Sequence, residues 1–143
     1  MEDDSVKLLR ECNAGIKMGV SSIDDVLDHV ENDDLSGILK DSRDIHSKLG
    51  DKTHAILKKY HDVGKEPAPI AKAMSKMKTN LKTMGENPDE AIASLITDGC
   101  NMGIKSLYRY LNQYPAADKE IKELTHDIIH TEEKLLTAMR PYL

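Results

Sequence analysis

The chain has 143 residues and a formal net charge of −5, and it contains five Tyr but no Phe and no Trp. This length predicts a single domain, 1–143, with one hydrophobic core, and the shortage of aromatic residues makes that core aliphatic and rich in Met. The negative charge excludes general nucleic-acid binding, because phosphate neutralisation needs clustered Lys and Arg.

The N-terminus gives no targeting signal. The segment Met1-Glu2-Asp3-Asp4 is acidic and no apolar run follows it, so no signal peptide is predicted. No stretch approaches the roughly 18 apolar residues that a membrane span requires. The two cysteines, Cys12 and Cys100, are far apart and lack a metal-ligand spacing. We therefore expect a cytoplasmic, reduced protein without a transmembrane segment.

The first hairpin is predicted over 4–63. Its first helix runs from about residue 4 to about Glu31, with an apolar stripe at helical spacing. A polar turn follows, and either Asp33 or Asp34 can cap the second helix, which continues to the end of the hairpin.

A shorter, basic helix is predicted over 69–84. We expect it to be a crossover that packs its Met side chains on the bundle and leaves its lysines in water. Docking on an acidic partner or on a membrane surface is the alternative. The lysines are Lys72, Lys76, Lys78 and Lys82.

The second hairpin, predicted over 88–140, opens on a helix-start signal. Asn87 can act as the N-cap, and Pro88 suits the first helical turn because its missing N–H is not needed there. This helix is predicted to end near Pro115. The last helix begins near Asp118 and runs to the end of the hairpin.

Part of the first hairpin is repeated in the second. The repeat favours two related helical hairpins, and hence an all-α four-helix bundle. A glycine inside a helix costs about 1 kcal/mol relative to Ala, so we expect the repeated glycines to allow another helix to approach closely. The segments 15–23 and 99–107 are identical at four positions, Gly15/Gly99, Met18/Met102, Gly19/Gly103 and Ser22/Ser106.

The repeat extends into the second helix of each hairpin if the second turn is two residues longer. His46 and Glu132 then occupy equivalent positions, as do Leu49 and Leu135. Two hairpins joined by a crossover, with internal symmetry, resemble the ferritin-like superfamily, and in particular its small bacterial members of unknown function. The resemblance covers nearly the whole chain and implies an up-down bundle with an additional short crossover helix.

The resemblance also implies where a metal centre would lie. In metal-binding members of that superfamily, the first helix of each hairpin supplies a Glu and the second supplies Glu-x-x-His, all directed inward. The inward polar residues of this chain are Asn13, His46, Thr97 and Glu132, and they form the candidate core site. Leu49 and Leu135 stand where the superfamily has histidine, so the di-iron ligand set is incomplete.

Three interpretations of these core residues are open. They can be satisfied polar groups, with His46 paired to Glu132. They can be a degenerate metal site in which His46 and Glu132 bind iron or manganese. They can also line a small-ligand site, as a solvent-filled pocket touching Asn13 and Thr97 as well would indicate.

A second constellation of candidate ligands lies on the last helix. His126, His130 and Glu133 have the i, i+4, i+7 spacing that brings two imidazoles and a carboxylate together, as a zinc site requires. Helical projection directs them away from Ile128 and Leu135, toward solvent. Solvated surface residues with adventitious metal binding are therefore the expectation.

No catalytic motif is present in the sequence. Cys12 and Cys100 both face the predicted core, where thiols are usually inert. The leading hypothesis is a non-catalytic bundle, without a cofactor, that acts as a homodimer or through a protein partner. The rival hypothesis is an iron- or manganese-dependent oxidoreductase or iron-handling protein.

Overall fold

A computed structural model describes residues 2–60 and 85–143, and within these two segments the secondary structure consists of four α-helices and one 3₁₀ turn. No strand occurs among these residues, which confirms the all-α fold class. The predicted helix over 69–84 and the end of the first hairpin, 61–63, lie outside them. The helices are α1 (Glu2–Leu27), α2 (Asp33–Lys59), α3 (Pro88–Gln113) and α4 (Lys119–Met139), and the 3₁₀ turn is Arg140–Tyr142.

The cap of α2 differs from the prediction. Asn32 is the N-cap, and its side-chain oxygen accepts a hydrogen bond from the backbone N–H of Leu35 at 3.0 Å. Asp33 and Asp34 instead occupy the first turn, where carboxylates interact favourably with the helix dipole. The start of α3 is as predicted, with Asn87 as N-cap and Pro88 in the first turn.

Helix α1 ends at Leu27, four residues before the predicted Glu31. The N–H of His29 bonds to the Val26 carbonyl three residues back, which tightens the helix end. The backbone N–H groups of Glu31 and Asn32 then donate to the Asp89 carboxylate at 2.8 and 3.0 Å. Because Asp89 comes from the other hairpin, this tertiary contact was not predictable from the local sequence.

The two hairpins are tied together at both ends of the bundle. At one end, Tyr60 after α2 donates its hydroxyl to Asp118 before α4 at 2.7 Å, and Ser5 of α1 accepts the Asp118 N–H at 2.8 Å. At the other end, Asp89 of α3 holds the turn between α1 and α2. Helices α2 and α3 therefore run in the same direction, opposite to α1 and α4. Helix α2 ends, and α3 begins, at opposite ends of the bundle.

The core consists of two apolar clusters, one in each half of the bundle's length. Every helix contributes to both, because each crosses the full length. Between the clusters, the four helices present a layer that contains two glycines and two charged residues. The first cluster includes Leu9, Ile16, Ile56, Leu107, Leu124 and Ile128, and the second includes Ile23, Leu39, Ile92, Ile96, Leu135 and Met139.

Among 2–60 and 85–143, the structure contains no helix with the length and apolar character needed to span a membrane. The longest of the described helices, α2, has 27 residues but carries charged side chains throughout its length.

Candidate functional site

The middle layer of the bundle holds a buried pair of ionisable side chains. Nε2 of His46 on α2 lies 3.6 Å from Oε1 of Glu132 on α4, and the side chains are only 1% and 11% exposed. The sequence-based interpretation that pairs these two residues agrees with this geometry. A pair so well removed from water is screened much less than a surface ion pair.

Both ring nitrogens of His46 face acceptors. Nδ1 lies 2.8 Å from the backbone carbonyl of Ser42, one turn earlier on α2, and Nε2 faces Glu132. Burial is the largest influence and lowers the pKa of His46. The hydrogen bonds to Glu132 and Ser42, with the Glu132 charge, outweigh it and raise the pKa above 6.5. The arrangement therefore favours an imidazolium that donates at both nitrogens.

Cys100 on α3 is a further member of the layer. Its buried thiol hydrogen-bonds Glu132, and burial together with the Glu132 charge raises the pKa of Cys100 well above its ordinary value. The thiol therefore donates to the carboxylate and stays protonated, which agrees with the prediction of an inert cysteine. The same holds for Cys12, where burial raises the pKa to about 12 despite a hydrogen bond with Thr125.

The repeated glycines make room for the charged pair. A methyl group on Gly19 of α1 would lie 3.0 Å from Cδ2 of His46, and one on Gly103 of α3 would lie 2.7 Å from Oε2 of Glu132. The close approach that we expected is therefore that of a side chain, not of a helix backbone. Gly19 faces His46 in the same way that Gly103 faces Glu132. The two charged residues therefore occupy equivalent places in the two hairpins, as the extended repeat indicates.

Asn13 and Thr97 lie away from this layer. Each is six residues before its glycine, Gly19 or Gly103, which is about 9 Å along a helix. Because α1 and α3 run in opposite directions, the two residues are displaced toward opposite ends of the bundle. The structure thus brings together His46 and Glu132 but places Asn13 and Thr97 elsewhere.

Both displaced residues carry a buried polar atom without a partner. Within the described part of the chain, neither Nδ2 of Asn13 nor Oγ1 of Thr97 has a hydrogen-bond partner. Asn13 lines a groove of about 520 Å³ between α1 and α2, and this groove does not include His46, Thr97 or Glu132. The small-ligand interpretation required a pocket that touches all four candidate residues. This groove touches only Asn13 among them.

The middle layer does not fit a di-metal centre. Gly19 of α1 and Gly103 of α3, which lie against His46 and Glu132, have no side chain to ligate, and the Cys100 thiol beside Glu132 is held in its protonated form. Leu49 and Leu135, each three residues after one of the charged residues, are part of the apolar clusters and offer no ligand atom. Across 2–60 and 85–143, no three His, Cys, Asp or Glu side chains converge in a way that could hold a metal ion.

The constellation on α4 lies at the surface, as helical projection predicts. His126 and His130 are exposed, and His126 meets the ring of Tyr108 edge to face with centroids 6.3 Å apart. Nδ1 of His130 lies 3.5 Å from Oε2 of Glu133, with side chains 69% and 47% exposed. This second His–Glu pair has nearly the same separation as the buried pair but is solvated.

Sequence reasoning did not assign Cys100 or Ser42 to this layer, and it did not predict that Gly19 and Gly103 make room for the two charged side chains. The signal for the glycines was available, because the repeat pairs Gly19 with Gly103 and its extension, with two more residues in the second turn, pairs His46 with Glu132. No comparable signal indicates that Cys100 reaches Glu132, since the equivalent residue in the first hairpin is Ile16.

The His46–Glu132 pair predicts that stability falls as pH rises. Because the folded-state pKa of His46 is above 6.5, the folded chain binds more protons than the unfolded chain between 6.5 and that pKa. The stabilisation is therefore complete below pH 6.5 and is lost as the pH passes through the folded pKa. Urea unfolding between about pH 5.5 and about pH 8.5 measures this decline.

Glu132→Gln serves as the partner variant, because it keeps the side-chain shape and removes the charge. The pKa of His46 should then fall, and the decline attributed to the pair should disappear. His130→Gln, which alters the solvated pair, should leave the decline unchanged. An equal decline in wild type and Glu132→Gln would show that other groups cause it.

No protein-family model, characterised protein or solved structure matches this chain.

Proposed function

We propose that the chain is a ferritin-like helical bundle without a complete di-iron centre, which is non-catalytic and acts by assembling as a homodimer. The helix directions support the ferritin-like assignment. Two antiparallel hairpins lie side by side, with α2 and α3 parallel, so that α2 ends and α3 begins at opposite ends of the bundle. A crossover between two hairpins is one of the known topologies of four-helix bundles.

The observation that carries the proposal is the composition of the middle layer. His46 and Glu132 are engaged with each other, and even a methyl group on Gly19 or Gly103 would lie within about 3 Å of them. One carboxylate and one imidazole cannot balance the charge of two metal ions or complete their coordination. A core closed in this way leaves the surface as the part of the molecule available for function.

The competing function is an iron- or manganese-dependent oxidoreductase or iron-handling protein. Such a protein would have to use His46 and Glu132 as its protein ligands. Metal would then replace the proton on Nε2 of His46 and separate the two side chains, whose present distance is 3.6 Å. The two proposed functions therefore predict different metal contents, which elemental analysis of one protein preparation can distinguish.

Protein purified without an affinity tag from metal-replete culture tests the proposal. We expect far less than one equivalent of iron, manganese or zinc by elemental analysis, and a dimer mass by light scattering. Stoichiometric iron or manganese that is lost in His46→Ala and retained in His130→Ala would establish the competing function. A monomer at all concentrations would contradict the assembly part of the proposal.

A further inference from the structure

Two histidines lie one turn apart on the solvent side of α4. His126 and His130 are both exposed, and residues four apart on a helix have Cβ atoms about 5–6 Å from each other. One ion can therefore contact both rings, as it does in helical zinc sites with the same histidine spacing. Within the described part of the chain, no third His, Cys, Asp or Glu joins them as a ligand, so water would complete the coordination.

Glu133 faces one of the two rings in the way that suits a metal ligand. Nδ1 of His130 lies 3.5 Å from Oε2 of Glu133. A carboxylate at this place favours the tautomer with the proton on Nδ1, which leaves the lone pair of Nε2 available to an ion. Metal-binding histidines almost always donate their second ring N–H in this way, and loss of the acceptor weakens binding by about 10- to 100-fold.

The ring of His126 is restrained by a neighbouring helix. Tyr108 of α3 meets it edge to face, with ring centroids 6.3 Å apart and planes at 68°. A contact between rings limits the positions that the imidazole can take. It therefore reduces the entropy that the side chain would lose when it binds an ion.

The charges around the pair favour a cation. Between residues 123 and 134, three acidic side chains lie outside the core, against one basic side chain, Lys134. The acidic residues are Glu123, Asp127 and Glu133. An excess of negative charge at the surface raises the local concentration of cations.

We infer that His126 and His130 bind a divalent transition-metal ion such as zinc, and that Glu133 is a positioning residue that orients His130. Imidazole nitrogen suits zinc, copper and nickel, whereas magnesium and calcium prefer oxygen ligands. With two protein ligands the ion exchanges with solvent and is lost during purification, so the inference agrees with the low metal content expected of purified protein. It goes beyond the proposed function and does not rest on it.

Titration of the full chain with zinc chloride at pH 7, followed by NMR of the imidazole rings, tests the inference. We expect one saturable site at which the rings of His126 and His130 shift, while the ring of the buried His46 does not. Magnesium chloride at the same concentrations should shift neither ring, because magnesium keeps its water and binds oxygen ligands. His29→Gln, which removes an exposed histidine from the turn between α1 and α2, should bind zinc as wild type does.

Three further variants test the members of the site. His126→Gln and His130→Gln should fold, because both side chains are exposed, and each should lower zinc affinity by at least about ten-fold. Glu133→Leu should also lower the affinity by about ten-fold, with little change in stability. No saturable shift up to about 1 mM zinc, equal affinity in His130→Gln or Glu133→Leu, or zinc binding at the His46 ring would overturn the inference. Only the last of these results would also contradict the proposed function.

Discussion

Replacing Glu132 with Leu is expected to destabilise the protein by about 3 kcal/mol, because the variant leaves a buried imidazole without its partner. His46 is 1% exposed, so water cannot take the place of the lost carboxylate, and the ring must lose its proton or remain charged in the core. Urea unfolding at pH 6.5 measures the loss, and the midpoint should shift without a change in slope.

The matched control is Glu133→Leu on the solvated side of α4. Its partner His130 lies at nearly the same distance, 3.5 Å, but the pair is largely exposed, so the expected change is within about 0.5 kcal/mol. The double variant His46→Leu/Glu132→Leu should recover most of the loss, because two apolar groups need no partner. Additive losses in the double variant would contradict a direct interaction between His46 and Glu132.

Replacing Gly with Ala is expected to stabilise the protein at one pair of repeated glycines and to destabilise it at the other pair. Gly15 and Gly99 have nothing within 4 Å of an added methyl group, so Ala should raise stability by about 1 kcal/mol, or about 3 °C in Tm. At Gly103 the methyl group would lie 2.7 Å from Oε2 of Glu132 and would push the carboxylate away from His46. The variant should therefore lower Tm despite its better helix propensity.

Gly19→Ala completes the comparison, since its methyl group would lie 3.0 Å from the ring of His46. Thermal unfolding of the four single variants under one condition gives the result. If Gly103→Ala and Gly19→Ala were as stabilising as Gly99→Ala, Gly19 and Gly103 would not be needed to make room for the charged pair. Helix propensity alone would then explain the stability change at all four positions.

The part of the fold that the sequence predicted rests on local signals. Asn87 and Pro88 are a local helix-start signal, and Ile128 and Leu135, which helical projection placed opposite the solvated side of α4, are buried. The predicted end of α1 was wrong because the chain after this helix is held by Asp89. This residue is 57 residues from Asn32 along the chain and is close to it only after folding. Local patterns do not contain that contact.

The candidate site was predicted in its residues but not in its geometry. Helical periodicity correctly directs Asn13, His46 and Glu132 inward, because it fixes the angle of each side chain around its helix. Periodicity does not fix which residues of neighbouring helices lie at the same position along the bundle axis, because that depends on the turn between the helices. Asn13 therefore shares a face with Gly19 without sharing a layer with His46, and the groove that it lines between α1 and α2 was not expected.

The ionic contact between His46 and Glu132 at the centre of the bundle is tested most directly by nitrogen NMR of the His46 ring. At pH 6.5, with the protein free of added metal, we predict that the ring with protons on both nitrogens is the major form, with one N–H bonded to the Ser42 carbonyl and the other facing Glu132. An Nε2 without a proton under these conditions would contradict the account, and so would an Nε2 bound to a metal ion.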